Sequence, residues 1–269
     1  MDEQKHRTES PIRIAFAGQA VFTTVMIAAG IQGWVKGDFA TIWQPVPKGL
    51  PGRETFVDLT ALISLASGIG LLWRRSAPLA ARALLASLVL WPLLWRLRAL
   101  SSATLVDGTW NLGSALAMIA AAWILYVTFA SDWDLQHLSF ATGNKGARIA
   151  RVLYGLALIP FGYAHFAYLK HTADMVPDWL PWHVGWAYFT GITFFAASLA
   201  ILTGRFARLA AGLSTLQMGL FGLLVWIPLM AAGSLSAFQQ SEIVTTVALT
   251  AAGWVVTDSY RGASVQERS

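Results

Sequence analysis

Stretches of about 20 apolar residues recur along the whole chain, and few folds can accommodate them. As a helix, each stretch is long enough to cross roughly 30 Å of hydrocarbon. Their apolarity is nearly uniform and does not alternate, which favours helices over the strands of a membrane barrel. We therefore predict an all-α polytopic membrane protein with eight transmembrane helices. The stretches lie at about 14–35, 56–74, 79–98, 110–130, 149–169, 184–203, 207–231 and 241–257.

Composition agrees with a membrane protein and excludes some chemistry. Hydrophobic residues make up 56% of the chain and charged residues only 12%, far from the soluble average. There is no cysteine, which excludes disulfides, a thiol nucleophile and thiolate metal ligands. The first apolar stretch follows a charged segment, residues 1–13, without a clear small-x-small cleavage site, so we predict a retained helix and not a signal peptide.

The distribution of Lys and Arg predicts the orientation. If the eight stretches cross the membrane, 13 of the 19 Lys and Arg residues fall on the side of the N-terminus and 6 on the other. The positive-inside rule then places both termini in the cytoplasm. We expect the protein in the cell inner membrane. Topology and contact with anionic lipid account for the net charge of +5, so we expect membrane lipid as a partner and no nucleic acid.

The chain contains an internal duplication. The segment "PVPKGLPGRETFVDLTALISLASGIGLLWRRSAPLAA", Pro45–Ala81, aligns without a gap to "MVPDWLPWHVGWAYFTGITFFAASLAILTGRFARLAA", Met175–Ala211, with 12 identities in 37 positions. Because each unit has an even number of helices, equivalent helices point the same way, so the repeats are parallel. We predict two tandem four-helix repeats, at 14–130 and 149–258, a cytoplasmic linker at 131–148, and tails at 1–13 and 259–269.

The second copy carries aromatic and polar residues that the first lacks, although both keep V-P-x-x-L-P on the predicted outer face. The candidate ligand-binding residues are Tyr163, Tyr168, Lys170, His171, Asp174, Asp178, Trp179, Trp182, His183, Trp186 and Tyr188. Such rings also gather at membrane interfaces because one end is apolar and the other polar. An outward-facing aromatic pocket and an ordinary interfacial belt are therefore both open.

His165 is the candidate catalytic residue. Its spacing places it on the face of the fifth helix that also holds Tyr154, Leu158 and Phe161. An ionisable group at that depth usually faces the bundle or a wet cavity, and either proton handling or a structural hydrogen bond would explain it. The histidine spacings match no metal site, so metal and haem are not expected, whereas a quinone ring suits tryptophan walls and a proton-exchanging histidine.

Isolated polar groups and small residues in the other helices predict contacts between helices. Asp107, Asn111 and Gln217 are expected to form interhelical hydrogen bonds. Small residues, such as those at 120–122, 210–212 and 251–253, are expected to let the helices pack closely.

Residues Arg151–Pro228 resemble the DoxX and DoxX-like family of small four-helix membrane proteins. The resemblance is carried by "RVLYGLALIPFGYAHF", W-L-P, Y-x-T-G, A-A-x-x-x-I-L-T-G-R and A-R-L-A-A. It implies a four-helix bundle per repeat and, in some branches, a role in membrane redox or sulfur metabolism with a protein partner. Many relatives carry a glutamate where this chain has Thr190 and Gly191, and their lysine is only approximated by Lys170, so no catalytic residue is carried over.

The resulting hypothesis is a redox-associated inner-membrane protein that binds a quinone or similar small apolar molecule, with His165 handling protons. One alternative is a non-enzymatic membrane scaffold or accessory subunit. A weaker alternative is a small-solute transporter. Parallel repeats are compatible with a transporter, but the small number of polar residues near the predicted membrane centre argues against one.

Overall fold

The computed structural model describes residues 15–38, 49–93, 104–233 and 235–266, and these form an all-α fold. Each of the eight predicted apolar stretches contains a helix. One long helix, α9 in the numbering below, consists of Ala207–Phe221, a π-helical turn at Gly222–Trp226, and Ile227–Ala231. The helices are α1 (Ala17–Lys36), α2 (Arg53–Gly70), α3 (Ala77–Trp91), α4 (Leu105–Phe129), α5 (Asp132–His137), α6 (Gly143–Ala167), α7 (Leu169–Asp174), α8 (His183–Thr203), α9 (Ala207–Ala231) and α10 (Ala237–Gln266).

Among the described residues, four helices are long and apolar enough to cross a membrane: α4, α6, α8 and α9. α3 is apolar but shorter, and α2 carries Arg53, Glu54 and Asp58 in its first two turns. The four long apolar helices suggest a multi-pass membrane protein.

Two pairs of long helices, α1 with α10 and α4 with α6, run in opposite directions, as hydrogen bonds at the two ends of the bundle show. At one end the N–H of Gly18, in α1, donates to Asp258 of α10 (2.9 Å). At the other end Tyr168, just after α6, donates to Asp107 at the start of α4 (2.8 Å). We call the end with α5 the linker face and the end with α7 the aromatic face.

The long helices form a closed ring of contacts with α4 and α10 packed against each other across it. Each long helix contacts the next long helix along the chain, including α4 with α6, and α1 contacts α10. From Ala117 to Ala122 every residue of α4 is buried, so no face of the helix meets solvent or lipid at that level. Small side chains permit this close packing.

Equivalent helices of the predicted repeats begin in the same register. α2 begins at Arg53 and α8 at His183, 130 positions apart, and the same interval separates the starts of α3 and α9. The residue before α2 and α8 has a left-handed backbone in both cases, at Gly52 (φ 70°) and at Trp182 (φ 59°). Part of the first V-P-x-x-L-P segment lies outside the described residues, so its turn is not compared.

A polar cluster connects the predicted linker to α3 and α4. The carboxylate of Asp134, in α5, is buried and accepts hydrogen bonds from Arg82 of α3, Ser131 and Tyr126. Although burial alone would raise the pKa of Asp134, the hydrogen bonds from Arg82 and Ser131 outweigh it and hold that pKa well below its usual range. The last six residues of the predicted linker, 143–148, belong to α6.

Candidate functional site

A cleft of about 1250 Å³ lies inside the second half of the molecule. It is enclosed by α6, α8, α9 and α10, and it reaches the first turns of α4 at the aromatic face. Space remains there because α6 and α10 touch over only a short length. Most of the lining side chains are apolar, which is typical of a small-molecule pocket.

His165 lies in this cleft, about one turn from the end of α6. Its Nδ1 is 2.7 Å from the carbonyl oxygen of Phe161. A carbonyl oxygen can only accept, so the neutral ring carries its proton on Nδ1 and leaves Nε2 as an acceptor. The helical face before it, with Tyr154, Leu158 and Phe161, is almost fully buried, in agreement with the predicted face.

Aromatic rings continue from His165 across the inner wall of the cleft. The ring of His165 lies 5.4 Å from that of Phe194 in α8, and Phe194 lies 5.9 Å from Phe161. Phe161 in turn packs against Trp110 of α4 at 4.9 Å. These distances are in the range of favourable aromatic pairs, so the wall is a connected apolar surface suited to a flat ring.

Polar side chains on α8 and α9 are largely satisfied within the protein. Gln217 accepts a hydrogen bond from the Thr193 hydroxyl (2.5 Å) and donates to the carbonyl oxygen of Thr190 (3.2 Å). The predicted interhelical bond of Gln217 is thus confirmed. The bond from Tyr168 confirms the same prediction for Asp107.

Asn111 does not follow that prediction. Its side chain lines the cleft and has no hydrogen-bond partner among the described residues. It is therefore a polar group that a bound molecule can reach.

Glu242 is a carboxylate in the cleft wall that our sequence reasoning missed. It lies in the first turns of α10 on the face that also holds Thr245, Thr246 and Leu249, all of which line the cleft. Within the described part of the chain its carboxylate has no ion-pair or hydrogen-bond partner. The i, i+3, i+4, i+7 spacing in "SEIVTTVAL" places these four residues on one helix face, but it does not indicate that the face borders a cleft.

The π-helical turn of α9 places Trp226 beside the same face of α10. Its indole N–H donates to the Thr246 hydroxyl (2.9 Å), one turn from Glu242. Its ring meets Phe221 edge-on at 5.6 Å. π-helical turns are rare and often occur at functional sites.

The structure brings five of the predicted site residues into the cleft lining: His165, Tyr168, His171, Trp179 and Trp186. The last four line the end of the cleft at the aromatic face. The others that sequence reasoning selected do not line this cleft: Tyr163, Lys170, Asp174, Asp178, Trp182, His183 and Tyr188.

Some residues outside the cleft have evident local roles. Lys170 and Asp174 form an exposed ion pair one turn apart (2.7 Å). Tyr188 packs against Phe166. Trp182 precedes α8 and has 85% of its surface exposed, as expected for a ring at a membrane interface.

The comparisons with known protein families, curated proteins and solved structures give no match for this chain. The resemblance to the DoxX family therefore stays a prediction from motifs. Within the described ranges no three His, Asp or Glu side chains converge as metal ligands do.

Proposed function

We propose that the protein is a DoxX-like inner-membrane protein with eight membrane-spanning helices in two parallel four-helix repeats. Support comes from the equal registers of α2 with α8 and of α3 with α9. α1 has 20 residues and α10 has 30, so both are long enough to cross at about 1.5 Å per residue. On the positive-inside rule the linker face and both termini are cytoplasmic.

The proposed function of the second repeat is to bind a quinone or a similar small apolar molecule in the cleft. The observation that carries this proposal is His165, which faces an aromatic, mostly apolar cavity with Nε2 available as an acceptor. A ring hydroxyl of a bound hydroquinone could donate to Nε2, while the ring packs against Phe194 and Phe161. The tryptophans Trp179 and Trp186 would cover the opening.

The outer wall of the cleft is consistent with entry of a ligand from the bilayer. Several of its lining residues in α9 are exposed apolar side chains, including Leu213, Leu216 and Leu220. Such a surface is suited to lipid. A membrane-soluble ligand could enter between α8 and α9 without passing through water.

The proposal of a redox association rests on the family resemblance alone. The chain has no cysteine, so electrons would pass through a partner protein of redox or sulfur metabolism. Glu242 is a further ionisable group in the cleft, and it is a candidate for exchanging protons with the bound molecule.

The test is saturable binding of a quinone analogue to the purified full-length protein, measured by quenching of tryptophan fluorescence. We expect His165→Ala to weaken binding by about tenfold, the value of one good hydrogen bond in a dry site. The matched control is His137→Ala at the linker face, where the imidazole only stacks on Trp133 and contacts its carbonyl oxygen. The control should bind as the wild type does.

Absence of saturable quenching in the folded wild type would reject the quinone proposal. Equal affinities of the wild type and His165→Ala would reject the role of His165. In the first case the scaffold or accessory subunit becomes the better hypothesis, and substitutions on the exposed helix surface become the relevant test.

A further inference from the structure

A second groove, of about 1210 Å³, opens at the linker face between α6, α8, α9 and α10. Its rim carries three arginines, Arg148, Arg151 and Arg208. Below the rim the walls are apolar and extend towards the middle of the helices through Leu202, Leu209, Leu213 and Leu216. The groove thus combines a basic mouth with an apolar floor.

Arg151 is the most constrained of the three arginines. Its Nε donates to the Ser259 hydroxyl (3.1 Å), one of its terminal nitrogens donates to the Ser259 carbonyl oxygen (2.6 Å), and the guanidinium lies 4.2 Å from the centre of the Tyr260 ring. These contacts fix the side chain without neutralising it. None of the three guanidinium groups has a carboxylate partner within the described residues. A half-buried cation without a counterion is costly, so an anion in the groove would be stabilised.

The start of α9 adds hydrogen-bond donors to the same place. Phe206, Ala207, Arg208 and Leu209 line the groove, and no side chain caps the helix. The first N–H groups of a helix have no acceptor within the helix, and its dipole favours negative charge there. Uncapped N–H groups and three guanidinium groups together match the oxygens of a phosphate.

We propose that this groove binds an anionic phospholipid. The phosphate would lie among Arg148, Arg151, Arg208 and the start of α9, and an acyl chain would follow the leucines of α8 and α9. A basic pocket between helices at the cytoplasmic surface is a recognised setting for anionic headgroups. In the aligned segment of the first repeat Pro78 stands at the position of Arg208, so the site belongs to the second repeat. The proposed phosphate site does not depend on what the cleft binds, although Leu209, Leu213 and Leu216 line both cavities.

The experiment is native mass spectrometry of the full-length protein in a neutral detergent, titrated with phosphatidylglycerol or with phosphatidylcholine. The decisive variant is Arg148→Gln with Arg208→Gln, since both side chains are exposed and the fold should tolerate their loss. The control is Arg75→Gln, an exposed arginine of the same face outside the groove. We expect the wild type and the control to retain phosphatidylglycerol preferentially, and the double variant to lose about tenfold or more in affinity for it.

Equal retention of the two lipids by the wild type, or unchanged affinity in the double variant, would overturn the proposal. A third arm adds millimolar inorganic phosphate and follows the unfolding temperature in detergent. If phosphate stabilises the wild type as well as phosphatidylglycerol does, the ligand is a soluble anion and the lipid assignment is wrong. Arg151→Gln also removes the packing against Tyr260, so it is compared only if it keeps the wild-type unfolding temperature without lipid.

Discussion

Arg82 of α3 and Asp134 of α5 form a two-point ion pair, with Nε and a terminal nitrogen of the guanidinium 2.7 and 2.6 Å from the two carboxylate oxygens. The carboxylate is completely buried, whereas the guanidinium keeps about a third of its surface exposed. The pair joins the linker to the first half of the molecule. Its geometry is the bidentate one that makes arginine pairs strong.

Removing the cation of this pair should destabilise the fold. Arg82→Met leaves the Asp134 carboxylate buried without a counterion, and we expect a loss of about 3 kcal/mol in the free energy of unfolding. Unfolding by a denaturing detergent would measure it. Arg75→Met, a change of an exposed arginine two residues before α3, should alter stability by less than about 0.5 kcal/mol. If Arg82→Met behaves like this control, the ion pair does not stabilise the fold.

The same carboxylate predicts how stability responds to acid. Hydrogen bonds overcome the effect of burial and lower the pKa of Asp134 in the folded state, below the value of about 3.9 expected in the unfolded chain. Its contribution is therefore fully present above that unfolded value and is lost as the pH falls towards the folded pKa. We expect the unfolding temperature of the wild type to fall more steeply than that of Asp134→Asn below about pH 4. Parallel curves for the two proteins would contradict this assignment.

Replacing Trp182 by glycine should stabilise the fold. Its φ of 59° is unfavourable for a bulky residue, and its side chain is mostly exposed. The aligned residue, Gly52, has a similar backbone with φ of 70°. We expect Trp182→Gly to raise the free energy of unfolding in detergent by about 0.5–1 kcal/mol. Trp179→Gly is the comparison, since Trp179 has no positive φ, and it should give no gain. A loss with Trp182→Gly would mean that the ring makes contacts worth more than the backbone strain.

Gly30 is required for the approach of α1 to α2. A Cβ at this position would lie 2.7 Å from both the Ala61 carbonyl oxygen and the Leu65 nitrogen, and backbone atoms cannot move aside as side chains can. We expect Gly30→Ala to cost about 1–3 kcal/mol, measured by unfolding in detergent. Gly49→Ala is the matched control because nothing lies within 4 Å of its Cβ position. Equal stabilities would show that α1 and α2 can separate without cost.

The helices and part of the site could be predicted from the sequence because both depend on local patterns. Apolar stretches specify helices, and the spacing of His165 from Phe161 and Leu158 specifies the side of α6 on which it lies. The starts of α2 and α8 follow the proline-containing segments, where the chain cannot continue a helix.

The enclosure of the cleft could not be predicted in this way, because it depends on how distant helices meet. Glu242 faces the cleft only because α10 packs between α4 and α9, and no local pattern near His165 indicates that. Trp182 and Trp186 are one turn apart in sequence, yet only Trp186 lines the cleft. The backbone of Trp182 is also left-handed, a conformation that is unusual for this residue type and not evident from the sequence.

The internal duplication in the sequence has a consequence for evolution. A dimer of identical units must repeat every substitution on both sides of its axis. Here the aligned positions differ, with Phe56 opposite Trp186 and Ser64 opposite Phe194, and the interior of the first half is filled by Phe22, Met26, Leu84 and Leu88. Two copies in one chain can therefore diverge, so that one acquires a cavity by mutation while the other keeps its own buried residues. Identical subunits of a symmetric homodimer cannot diverge in this way.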